Sequence, residues 1–101
     1  MMNQAKTDDL SFDELLLKLK QEYISSFDEK IPLYLELLKQ SDFAELEEHF
    51  HKLKGSGQTH GLSKISELGA LGEAACAKPD QETAEIMNTL ILDLKAFIDG
   101  L

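Results

Sequence analysis

The chain is poor in the residues that interrupt helices or tie a fold together. Tryptophan is absent, cysteine occurs once, proline twice and glycine six times in 101 residues. A lone cysteine, Cys76, excludes an internal disulfide. It sits in an Ala-rich stretch and reads as a small buried side chain. Basic residues are also scarce, with 10 Lys and Arg against 19 Asp and Glu, a net charge of -9. That balance argues against binding nucleic acid, which needs a basic patch, and against adsorption to an anionic membrane surface. No apolar run approaches the ~18 residues of a membrane span. The N-terminus is polar and has no signal-peptide core, so a cytoplasmic protein is expected. A protein partner is the remaining default.

What is present is a helical pattern. Hydrophobic residues make up 43% of the chain and recur at spacings of three and four, without strand-like alternation. Residues 1–10 read as a flexible tail, and 11–101 as one domain. Ser11 and Glu14 form a capping-box pattern that starts a helix. Its stripe is Phe12, Leu16, Leu19, Tyr23 and Phe27, continuing through Ile31, Tyr34, Leu35 and Leu38. Pro32 removes a backbone donor and crowds the preceding turn, so a kink or a short break is expected between Ser25 and Pro32. Ser41-Asp42 is a junction with a good N-cap. The next helix carries Phe43, Leu46, Phe50 and Leu53, and should end near His60-Gly61. Ser63 can cap the following helix, with Ile65, Leu68, Leu71 and Ala75 inward, up to Lys78-Pro79. Asp80 can cap the last, whose stripe is Thr83, Met87, Leu90, Leu94 and Phe97. Short connections make neighbouring helices antiparallel. The expected fold is all-α, an up-down antiparallel four-helix bundle with a kinked or broken N-terminal helix.

One stretch is chemically unusual. Between His49 and Gly61 lie all three histidines, two lysines and three of the six glycines. Gly55 and Gly57 fall within helix, where each costs about 1 kcal/mol relative to Ala. A helix that accepts this cost often does so because something approaches its backbone. On a helical wheel His51 points about 110° away from the buried direction. Lys54 and Gly55 follow it at i+3 and i+4, on the same patch, and Gln58 flanks them as a candidate binding residue. A neutral imidazole there is a competent nucleophile. Lys54 can stabilise an added negative group, and Gly55 leaves room for a partner to reach the ring. His49 falls on the opposite flank, so the two histidines cannot share a metal ion. His49 reads as an ordinary surface group, His60 as a helix-end group, and no metal site is expected. No phosphate-binding glycine loop is present, so a phosphoryl group would have to come from another protein.

The run His51-Lys52-Leu53-Lys54-Gly55-Ser56, with Gly61 ten residues after His51, resembles the H-x-L-K-G-S…G signature of histidine-containing phosphotransfer (HPt) domains. Gln58 to Leu62 is similar to the loop that follows the phosphohistidine helix in that family. Phe27 and Pro32 before Leu35 and Leu38 resemble its leading helix. Gly57 departs from the pattern, where Ala or Ser is more usual. The resemblance spans roughly Leu10 to the C-terminus. It implies that His51 accepts a phosphoryl group from a receiver-domain aspartyl phosphate and passes it to a response regulator. Lys54 would be the electrostatic partner and Gly55 the steric allowance. The chain itself would need no cofactor, the Mg²⁺ being held by the receiver, and would have no autonomous kinase activity. The implied partner is the receiver domain of a hybrid sensor kinase or of a response regulator, met by a monomer. A non-transferring adaptor that docks a receiver or kinase domain is the alternative.

Overall fold

A computed structural model describes residues 11–101. The tail assigned to residues 1–10 lies outside the described residues. Five helical segments follow in order: α1 (Phe12–Ser25), α2 (Phe27–Lys39), α3 (Phe43–Thr59), α4 (Ser63–Ala77) and α5 (Thr83–Asp99). Segments α2 to α5 close into an antiparallel four-helix bundle, each packed on its neighbours and α5 returning to α2. Its centre is filled by Tyr34, Phe50, Leu53, Ile65, Met87 and Leu94. This is the fold class that the apolar periodicity predicts.

The first helix is kinked rather than broken. Segments α1 and α2 run on through Ser26, which keeps right-handed helical angles (φ −62°, ψ −18°), and together they bend by 34°. The bend lies at Ser26, six residues before Pro32. Its backbone N–H is shared between the carbonyls of Glu22 (3.0 Å) and Tyr23 (3.2 Å), and its hydroxyl donates to the Tyr23 carbonyl. Such back-bonding by serine bends helices. Pro32 is tolerated inside α2 on an exposed face.

Segment α1 begins as predicted. Ser11 Oγ accepts from the Glu14 N–H (3.0 Å), and Glu14 Oε1 accepts from the Ser11 N–H (2.9 Å). The predicted burial of its stripe does not hold: Phe12, Leu16 and Leu19 are exposed, and Tyr23 is the one buried residue of α1. The segment projects past the bundle, giving the molecule extents of 63 × 20 × 19 Å. Leu35 is exposed as well, with Leu37 taking the inward position.

Two turns close by the same device. Ser41 (φ 55°) and Gly61 (φ 72°) adopt the left-handed conformation after α2 and α3. The following N–H groups, of Asp42 and Leu62, reach back to the carbonyls of Leu37 (2.9 Å) and Gly57 (2.8 Å). Both are Schellman motifs. Asp42 then caps α3 by accepting from the Glu45 N–H (3.1 Å). The caps predicted at Ser63 and Asp80 are corrected. Ser63 is already helical, and α4 starts after Leu62 without a side-chain cap. Asp80 lies before the N-cap residue, Glu82, and instead closes a turn that holds the buried Thr83 hydroxyl.

The tightest packing is between α3 and α4, and glycines permit it. A Cβ at Gly57 would come within 2.6 Å of the Ser66 amide nitrogen, and one at Gly69 within 2.5 Å of that of Lys54. At Gly72 it would collide with the edge of the Phe50 ring. Leu71, predicted inward, is therefore exposed, and Gly72 takes the core position beside the ring.

Candidate functional site

Phe50 and Leu53, both buried, anchor α3 in the core and fix the direction of the residues around them. His51 turns outward, its side chain 64% exposed. Lys54 and Gly55 lie one turn on, and a Cβ at Gly55 would meet nothing within 4 Å. The two glycines grouped by sequence thus differ: Gly55 faces open space, whereas Gly57 is the contact with α4.

The close approach of α4 brings in a residue that sequence reasoning missed. Glu73 follows Gly72, and its carboxylate bridges the site. Oε2 lies 2.7 Å from His51 Nδ1, and Oε1 lies 2.8 Å from Lys54 Nζ. Lys54, and after it His51, hold the Glu73 carboxyl below the usual carboxylate range. An ionised carboxylate only accepts hydrogen bonds. In the neutral ring His51 Nδ1 therefore carries the proton and donates to Glu73, which leaves the lone pair on Nε2. No other hydrogen bond to the ring exists among the described residues. On the N-terminal side of His51 a shallow groove of about 410 Å³ is walled by Glu45, Glu47, Glu48 and Glu73. The site is thus bounded by acid on one side and by Lys54 with a bare stretch of helix on the other.

Gln58 is exposed one turn beyond Gly55, and no hydrogen bond ties its side chain to this group. The other histidines point elsewhere. His49 is half-buried, 5.7 Å from the Tyr34 ring centre and 3.6 Å from Glu45. His60 donates from Nδ1 to the Ser56 carbonyl (2.9 Å) and stacks on Tyr23 at 4.1 Å. The Tyr23 hydroxyl in turn meets Ser56 Oγ at 2.6 Å. His60 thus closes the end of α3 against α1.

The site is thus one exposed, oriented imidazole beside a lysine and an open glycine, on an acidic all-helical bundle. The family model for the Hpt domain matches residues 18–101, most of the chain. The chain belongs to the Hpt domain family. Members serve as histidine phosphotransfer modules in two-component phosphorelays and interact with receiver domains. No curated protein and no solved structure gives a significant match to the chain. No helix among the described residues is long and apolar enough to cross a membrane.

Proposed function

We propose that this domain accepts a phosphoryl group on Nε2 of His51 from a receiver aspartyl phosphate and passes it to a response regulator. The observation that supports this is the ring's setting: exposed, held at Nδ1 by Glu73, and flanked by Lys54 and Gly55.

The step follows from that geometry. The Nε2 lone pair attacks phosphorus, the bond from phosphorus to the aspartyl oxygen breaks, and aspartate leaves as a carboxylate. No proton has to move. The ring becomes an N-phosphorylated imidazolium that keeps its Nδ1 proton, and the carboxylate of Glu73 faces the developing positive charge. Lys54 lies beside the arriving phosphoryl oxygens, an exposed cation of modest strength. Gly55 lets the receiver surface come close. Gln58 is an outer docking contact. Mg²⁺ and the remaining catalytic groups are the receiver's contribution.

The test is labelling of the full chain by a panel of phosphorylated receivers. Acid-labile phosphate should appear on the wild type and be absent from His51→Gln. A wild type that binds receivers but never takes label would replace this reading with that of a non-transferring adaptor.

A further inference from the structure

Among the described residues, nothing packs over the first turns of α1. Phe12 is 72% exposed, Leu16 47% and Leu19 43%, and Leu15 and Leu17 on either side of this line are exposed as well. Phe12, Leu16 and Leu19 continue, at spacings of four and three, the stripe that Tyr23 and Phe27 bury lower in the bundle. This is a heptad seam with Phe12 and Leu19 at d and Leu16 and Tyr23 at a. An isolated helix shorter than ~12–15 residues is marginal in water, so three unsupported turns call for a partner surface.

We propose that the α1 seam pairs antiparallel with the same seam of a second copy of this chain. Charge favours this occupant and this direction. Asp13 and Lys20 both fall at e, and antiparallel pairing sets e against e, so Asp13 of each copy faces Lys20 of the other, twice by symmetry. A parallel pair would place Lys20 against Leu15; the antiparallel pair places Glu22 there, and of the two it alone sets opposite charges together. Antiparallel pairing also sets Phe12 of one copy level with Tyr23 of the other. A groove of about 370 Å³ opens beside the seam at the level of Leu16 to Lys20, walled by Leu16, Leu17, Leu19 and Lys20 of α1 and by Thr59, His60 and Gly61 of the α3 end. It is lined mainly by apolar surface and lies level with Leu16 and Leu19 of the other copy. The two bundles then lie at opposite ends of the helix pair. This replaces the monomer expected from sequence and stands independently of the phosphotransfer reading.

Sedimentation equilibrium on the full chain tests it. Wild type should show twice the chain mass at high micromolar concentration. Leu16→Lys combined with Leu19→Lys should be monomeric with the helical circular dichroism of the bundle retained, both residues being exposed. Asp13→Lys and Lys20→Asp should each weaken the dimer several-fold, and their combination in one chain should restore it. A monomeric wild type overturns the proposal, as does a dimer indifferent to the paired lysines. Failure of the charge combination to restore overturns the antiparallel arrangement. A monomer whose labelling by phospho-receivers is abolished by the paired lysines would assign the seam to the receiver instead.

Discussion

The carboxylate of Glu73 touches Nδ1 of His51 with one oxygen and the ammonium of Lys54 with the other, at 2.7 and 2.8 Å, from 22 residues away in the chain. The two residues on α3 are thereby joined through α4. Glu73→Gln should keep a hydrogen bond but lose the charge, and Glu73→Ala should lose both. Phosphoryl acceptance by His51 is expected to fall about tenfold in the alanine variant and less in the glutamine variant. Single-turnover transfer from a phospho-receiver measures this. Equal rates in all three proteins would remove Glu73 from the mechanism.

The same carboxylate gives a pH dependence. Its pKa in the folded chain is depressed, first by Lys54 and then by His51. A depressed carboxylate contributes stability that is fully present above its unfolded value and is lost as pH falls through the folded value. Denaturant unfolding should therefore show stability declining below about pH 4, the ordinary glutamate range. Part of that decline should be missing in Glu73→Gln. Superimposable profiles for the two proteins would contradict the assignment.

Gly55 and Gly57 should separate stability from function. At Gly55 an added methyl meets nothing, so Gly55→Ala should raise stability by about 0.5–1 kcal/mol. Its transfer rate should fall, and a bulkier Gly55→Trp should block transfer while the bundle persists. Gly57→Ala drives a methyl into the Ser66 amide and should destabilise by about 1–3 kcal/mol. Thermal melts beside transfer assays check both. Transfer by Gly55→Trp at the wild-type rate would dismiss the access role.

Ser41 holds a left-handed conformation that costs an L-residue about 1–2 kcal/mol. Ser41→Gly keeps the Schellman hydrogen bonds and should stabilise the protein by about 1 kcal/mol. A melting temperature unchanged or lowered would count against that account.

Cys76 is buried, and its thiol is pushed up to about 11, first by burial and then by the charge of Glu47. Maleimide at neutral pH should leave the native chain unmodified and label it once in denaturant. Mass spectrometry would reveal rapid native labelling, the contrary outcome.

Much of this was legible from the residues in order. Apolar spacing gave the bundle, the Ser11–Glu14 box gave the start of α1, and Gly61 gave the end of α3. His51, Lys54 and Gly55 share a patch because helical geometry alone puts them there. What was missed needed a second helix. Periodicity marks Phe12, Leu16 and Leu19 as an apolar stripe without saying whether anything stands opposite. Leu71 looked inward because hydropathy favours leucine over glycine, yet the ring of Phe50 leaves space only for Gly72. Glu73 carries no motif. Its one signal is its place next to Gly69 and Gly72, the small face on which another helix can come nearest.

The bridge from Glu73 also bears on how firmly a phosphate is kept. Before transfer, Lys54 is already engaged by a carboxylate. An incoming phosphoryl group must compete for a cation that has a standing companion, and it arrives near an anion that repels it. In the relay reading, a site arranged in this way cannot become a sink. It lends its cation only in part, so the phosphoryl group stays poised between donor and acceptor.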